Sequence, residues 1–166
     1  VGLLSEADNA PRTPSTILPG DCLIVSGPIG RHGIAILAAR EELSLSPSPE
    51  SDSASLVEPA IALYERYGEQ IRTMRDATRG GVAAVLHEWA GQSNLKLCVE
   101  DALLPISSDV RGACELLGLE PLHIANEGTM VIAVAAAARE GVLGLLRDFA
   151  PTRFAAVFGT VSEHHG

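Results

Sequence analysis

Apolar positions recur along the chain in two rhythms. Cys22 to Ser26 is a short apolar run between Gly20 and Gly27, and Met130 to Val134 is another; both read as buried strands. Ile71 to Met74 and Lys96 to Glu100 alternate apolar with polar positions, as half-buried strands do, and Ala155 to Val161 reads as a last strand. Helical spacing appears in Ile34 to Glu41, where Ile34, Leu37 and Ala38 share a face, and in Leu56 to Tyr67 through Val57, Ile61 and Tyr64. It returns from Val82 onward, where Val82, Val85, Leu86 and Trp89 fall at i, i+3, i+4 and i+7. Asp109 to Leu117 and Ala135 to Phe149 complete the helices, the last with Val142, Leu145, Leu146 and Phe149 on one face.

Punctuation agrees with these boundaries. Gly68 and Gly118 are placed to stop two helices, Gln92 to Leu95 breaks a third, and Pro151 separates the last helix from the last strand. Ser107 and Ser108 are cap candidates for Asp109 to Leu117, whose acidic first residue suits a helix N-terminus. Strands and helices alternate without strict βαβ order and without an internal repeat. The pattern predicts an α+β fold, a mixed β-sheet with packed helices, in a single domain over 1–166. Two stretches stand outside it. Residues 1–19 form a polar lead-in with three prolines, and 43–55 form a flexible Ser/Pro-rich loop too poor in apolar residues to offset its ordering entropy.

The chemistry concentrates in two turns. Arg75-Asp76-Ala77-Thr78-Arg79-Gly80-Gly81 links a strand to a helix, whose first turn exposes unpaired N–H groups and a partial positive charge. Gly80 and Gly81 let backbone or ligand come close, Arg75 and Arg79 add positive charge, and Asp76 and Thr78 offer oxygens for capping. Two readings stand side by side: a phosphate- or carboxylate-binding turn, or a capped helix whose glycines serve close packing. Asn126-Glu127-Gly128 lies between two apolar runs; Glu127 is either a general base, if its setting suits proton transfer, or a solvated surface carboxylate. A third glycine-rich turn, Gly27 to Gly33, carries His32, which either faces a ligand or caps the helix.

Composition narrows the class. At 166 residues the chain suffices for one domain with a real core, and no apolar run reaches the ~20 residues of a membrane span. A formal charge of −9 speaks against a general nucleic-acid binder, whose duplex partner demands a basic face. Cys22, Cys98 and Cys114 are odd in number, scattered and in apolar company, so they read as small buried hydrophobes in a reducing cytoplasm. No metal-ligand spacing appears among cysteines and histidines, and the His164-His165 pair sits at a terminus.

Four stretches, in order, carry a resemblance: residues 19–33, Glu50-Ser-Asp52, Met74-Arg-Asp-Ala-Thr-Arg-Gly-Gly81, and 113–128, which ends Ala-Asn-Glu-Gly. Together they resemble the C-terminal domain of HypE-type hydrogenase maturation proteins, in the superfamily of aminoimidazole ribonucleotide synthetase, selenophosphate synthetase and thiamine-monophosphate kinase. The resemblance implies an aminoimidazole ribonucleotide synthetase C-terminal-domain-like fold. It implies an ATP-dependent dehydratase that turns an S-carbamoyl group on its own C-terminal cysteine into thiocyanate, the source of the cyanide ligands of nickel-iron hydrogenase. Asp76, Thr78, Arg79, Gly80 and Gly81 would then form a phosphate-facing wall. Asn126 and Glu127 would lie near the reacting tail, with Glu127 the proton acceptor. ATP with Mg2+ would be held largely by an N-terminal domain. The full-length protein would be a homodimer, and its partners a carbamoyltransferase and the scaffold proteins of hydrogenase assembly.

The chain departs from the family pattern at three places. Ala77 stands where Pro is usual, which loosens the turn; Thr129 replaces the Lys that usually follows the Glu-Gly pair; Ser53-Ala54-Ser55 replaces Cys-Ala-Pro. Val1-Gly2 aligns near the domain junction and the chain stops at Gly166, so the N-terminal domain and the cysteine tail are expected outside it and the piece is expected to be inactive alone. Two other classes remain in view. One is a docking module for hydrogenase assembly without catalytic groups, and the other is a superfamily member that transfers phosphoryl groups to a small molecule.

Overall fold

A computed structural model describes residues 12–164. Five strands and five helices follow one another as β1 (Cys22–Val25), α1 (Arg31–Arg40), α2 (Val57–Tyr67), β2 (Ile71–Asp76), α3 (Gly81–Ser93), β3 (Lys96–Val99), α4 (Ser108–Leu117), β4 (Met130–Val134), α5 (Arg139–Arg147) and β5 (Ala156–Ser162). The strands form one sheet in the order β2-β4-β1-β5-β3. The expected α+β fold is the one found, but all four strand pairings are antiparallel, so the sheet is not mixed. Strand direction depends on how far each connection travels, which local periodicity does not encode.

Helices cover both faces of the sheet, which explains why β1 and β4 are unbroken apolar runs. Leu23, Val25, Val131 and Ala133 point to one face and pack with Val82, Val85 and Trp89 of α3. Cys22, Ile24, Met130, Ile132 and Val134 point to the other, with Leu63 of α2 and Val142, Leu143 and Leu146 of α5. Each fully buried Val, Leu or Ile among them contributes about 1.5–3 kcal/mol through removal from water. A third cluster, Ile34 with Val110, Ala113 and Cys114, joins α1 to α4.

Several boundaries differ from the periodic reading for tertiary reasons. The segment expected as a helix over Ala135 to Phe149 is divided into a 3₁₀ turn at Ala136–Ala138 and α5, and the buried face is Val142, Leu143 and Leu146. In β3, an edge strand, Leu97 packs on the core but Val99 is exposed, so the alternation there is weaker than expected. Cys22 and Cys114 are buried as expected, and burial pushes the Cys114 thiol up, away from the reactive thiolate. Cys98 is only half-buried, its Sγ 3.7 Å from Ser162 Oγ. Within the lead-in, residues 1–11 lie outside the described residues; Pro14–Thr16 form a 3₁₀ turn and Ile17 enters the core. His165 also lies outside them. Asp21, nearly fully buried, accepts from Leu18 N–H at 2.7 Å and from Arg72 Nε at 3.1 Å, which ties the lead-in to β2.

The sheet order brings the chemistry-bearing turns to one end. β1 and β2 run in the same sense on either side of β4, with Val25 opposite Val131 and Asp76 opposite Met130. The chain therefore leaves β1, leaves β2 and enters β4 at the same edge of the core. Three turns that are far apart in sequence meet there.

Candidate functional site

Asn126 is the joint between the three turns. It is fully buried. Its Oδ1 accepts the Gly30 N–H at 2.7 Å, and its Nδ2 donates to the carbonyls of Ala77 at 3.2 Å and Ile124 at 3.0 Å. Its own N–H donates to Ala77 O as well, at 3.2 Å. The side-chain amide is thus committed to backbone, and Asn126 holds the turn after β1, the turn after β2 and the entry to β4 in one arrangement. An unsatisfied amide at such depth costs about 1–3 kcal/mol, so the pairing is strongly specified. Ser26 adds a second tie, its Oγ accepting the Met130 N–H at 2.9 Å.

The turn after β2 opens α3 as the sequence implied. Gly80 and Gly81 both have positive φ, 69° and 62°, a region that side chains with a Cβ enter only at a cost. Gly81 also packs so closely that a Cβ would run into the carbonyl oxygens of Leu122 and Ile124. The glycines therefore serve packing, and the same geometry leaves the first N–H groups of α3 without a side-chain cap. Ala77 does not loosen the turn: it is buried, and its N–H donates to Thr129 O at 3.1 Å, a bond that proline lacks the hydrogen to make.

Beside this turn lies a small cavity of about 200 Å³ lined by Arg75, Asp76, Thr78 and Arg79 and by Ala84, Val85 and Glu88 on the flank of α3. Sites that enclose a whole small molecule run to roughly 300–1,000 Å³, so this space suits part of a ligand. Arg75 pairs with Glu88 of α3. Arg79 is exposed and makes no ion pair among the described residues. Of the two arginines, Arg79 is the one available to an anion. Thr78 Oγ1 donates to Asp76 Oδ2 at 2.6 Å, and this bond above all holds the Asp76 carboxyl below its ordinary value of 3.8.

A depressed folded-state pKa adds stability that is fully present above the unfolded value and is lost as pH falls through the folded one. Thr78→Val should therefore move the Asp76 carboxyl back toward its ordinary titration, as read by carboxyl carbon NMR, and remove that acid-side contribution. An unchanged Asp76 titration in the variant would rule out the hydroxyl as its cause.

Glu127 is exposed, at the tip of the turn next to Asn126. Its backbone is not loose. Asp52, from the helix- and strand-free stretch between α1 and α2, places its carboxylate on the N–H groups of Glu127 and Gly128, each at 3.1 Å. Thr129 donates its hydroxyl to the same carboxylate at 2.9 Å. His32 bonds Ser51 through Nδ1 at 2.9 Å and makes no cap for α1. Asp52 was marked in the sequence only by its place beside Glu50 and Ser51; no spacing signals its contact with a turn some 75 residues away.

Among the described residues, no three His, Cys, Asp or Glu side chains gather as a metal site, and no helix is long and apolar enough to cross a membrane. The site is thus an uncapped helix end with an exposed arginine and a carboxylate-bearing turn, joined through Asn126.

Residues 19–166 match the family described as AIR synthase related protein, C-terminal domain. The carbamoyl dehydratase HypE of Bradyrhizobium diazoefficiens is 44% identical over 148 residues, which cover 88% of this chain and 43% of that protein. A solved HypE-HypF complex superposes with a TM-score of 0.91 at 36% identity, covering 95% of this chain and 51% of its counterpart. A hydrogenase maturation protein HypE in complex with ATP superposes at 0.87 with 37% identity, covering 92% and 45%. The chain thus spans about half the length of the proteins it matches. The matched residues contain all three turns, β1 to β5 and α1 to α5, and on that footing the chain belongs to the family of AIR synthase related proteins, as their C-terminal domain.

Proposed function

We propose that this chain is the C-terminal half of an ATP-dependent carbamoyl dehydratase of the HypE type, which converts an S-carbamoyl group on its own C-terminal cysteine to thiocyanate for the cyanide ligands of nickel-iron hydrogenase. The observation that carries the reading is the junction at Asn126, which sets an uncapped helix N-terminus with a free arginine beside a turn that presents a carboxylate. Dehydrating an amide needs both functions: charge stabilisation where the oxygen leaves and a base where the nitrogen loses its proton. The similarity to proteins called carbamoyl dehydratase, along nearly the whole chain, supports the same reading.

ATP supplies the phosphoryl group that makes the carbamoyl oxygen able to leave. The α3 N-terminus, Thr78 and Arg79 face that phosphate, with Gly80 and Gly81 shaping the wall. Asp76, kept ionised by Thr78, fixes the turn from the strand side. One nitrogen proton is lost as the oxygen is phosphorylated and ADP departs; Glu127 takes the second as the C–O bond breaks, phosphate leaves and the C≡N bond forms, and Asn126 sets the position of both turns without touching the substrate. By this reading most of the ATP, with Mg2+, is held by an N-terminal half, and the cavity of about 200 Å³ takes only part of it. By the same reading the full-length protein is a cytoplasmic homodimer, which receives its carbamoyl group from a carbamoyltransferase and passes its product to hydrogenase scaffold proteins.

The reaction itself is tested by incubating the carbamoylated full-length protein with ATP and following the loss of one water from its C-terminal cysteine by mass spectrometry. No loss of water would end the proposal. On this chain alone, titration with Mg-ATP should shift the backbone amides of Thr78 to Gly81 saturably in NMR spectra. Absence of any shift at millimolar nucleotide would mean that ATP is held chiefly by the N-terminal half or that the glycines serve packing, and absence in the full-length protein as well would remove the phosphate role of this helix end.

A further inference from the structure

We propose that Asp52 is a positioning residue for Glu127, an inference that rests on the role given to Glu127 above. Its carboxylate accepts three hydrogen bonds from one turn. Oδ1 takes the Glu127 N–H, and Oδ2 takes the Gly128 N–H and the Thr129 hydroxyl, at 3.1, 3.1 and 2.9 Å. Bonds to an ionised acceptor are about twice as strong as neutral ones, and three together fix the backbone from which the exposed Glu127 side chain projects. Asn126 secures the same turn from the buried side. Glu127 is therefore gripped on both flanks although its own side chain faces solvent.

Asp52 is itself held. Pro49 is buried, Glu50 pairs with Arg31 at 3.7 Å, Ser51 Oγ bonds His32 Nδ1 at 2.9 Å, and Ser51 Oγ also accepts the Ser53 N–H at 3.1 Å. These contacts fasten 49–53 to the first turn of α1 and lay it across the Asn-Glu-Gly turn. Gly128 is what permits the approach, since a Cβ there would overlap the carbonyl oxygen of Asp52. Thr129 supplies a short donor where a lysine would bring a charged one. The stretch with least secondary structure therefore carries a support for the reacting group.

A base misplaced by an ångström loses much of its effect, so loosening this grip should act on turnover more than on nucleotide binding. In the full-length protein, Asp52→Asn should lower kcat about tenfold to a hundredfold with the KM for ATP unchanged within about twofold. In a Glu127→Gln background the same change should add no further loss, because its effect passes through Glu127. On this chain alone, Asp52→Asn should speed hydrogen exchange at the Glu127 and Gly128 amides by about tenfold or more. Thr129→Val, which removes one donor to the same carboxylate and is expected to stay folded, should give a smaller fall in kcat that Thr129→Ser restores.

Full turnover in Asp52→Asn while Glu127→Gln is inactive would overturn this inference and leave the dehydratase reading standing. Losses that multiply in the double variant would overturn it too, since they would mark a general structural role. Full turnover in Glu127→Gln would overturn both.

Discussion

Glu127→Gln in the full-length protein is expected to lower conversion of the carbamoylated cysteine to thiocyanate by about a hundredfold to ten-thousandfold, the range that a positioned general base contributes. Glutamine keeps the size and the hydrogen-bonding ability of the side chain but cannot take a proton. Because the Glu127 side chain is exposed and the turn is held by backbone contacts from Asp52 and Asn126, the substitution should leave the fold intact. The KM for ATP should change little, since the groups proposed to face phosphate lie on the other turn. The measurement is the rate of water loss from the cysteine at saturating ATP, beside a thermal melt of both proteins. A variant that dehydrates at the parent rate would show that the proton goes elsewhere, and the docking-module reading would then gain ground. A variant that melts much earlier would locate the role of Glu127 in the fold.

Gly81→Ala carries the largest expected effect on stability. Two costs add at that position. The residue sits at φ 62°, where an L side chain costs roughly 1–2 kcal/mol, and the new Cβ would meet the backbone carbonyls of Leu122 and Ile124. Backbone cannot swing aside as the end of a side chain can, so the turn at Pro121–His123 would have to move away from α3. The sum should be on the order of 3 kcal/mol or more, measured by urea unfolding of this chain. Gly91 is the control within the same helix. Nothing lies within 4 Å of a Cβ built there, so Gly91→Ala should be stabilising by about 0.5–1 kcal/mol through helix propensity. Similar effects of the two substitutions would mean that the close approach at Gly81 is not under strain.

Parts of the site were legible before folding was considered, and parts were not. The heptapeptide from Arg75 to Gly81 sits at a strand-to-helix turn, as the switch of hydrophobic period implied, because both periods are local properties of the backbone. The readings of that motif as an anion site and as a packing device are not rivals in the folded chain. Gly81 meets a backbone and is buried with Val82, while Arg79 and Gly80 just before the helix are exposed and no side chain caps it. The resemblance placed Asn126, with Glu127, near the reacting tail. Its depth, and its bond to Gly30 across 96 residues, depend on three turns meeting. Asp52 stood in a stretch whose composition promised only a loop, and composition does not report where a loop lies down.

What the sequence by itself determined about this protein is its set of elements and the residues that form its two main buried layers. Continuous apolar runs at β1 and β4, the apolar face of α3, and the glycine stops at Gly68 and Gly118 follow from periodicity and from backbone freedom, which act over a few residues. Its four matching stretches also placed it in its family. Only the tertiary structure decided that every strand pair is antiparallel, that the ends of β1, β2 and β4 share one edge, and that Asp52 and Asn126 grip the Glu127 turn from opposite sides. Those contacts join residues 49 to 96 positions apart. Hydrogen bonds of that span exist only after the core between α3 and the α2–α5 layer has closed and brought their partners within reach.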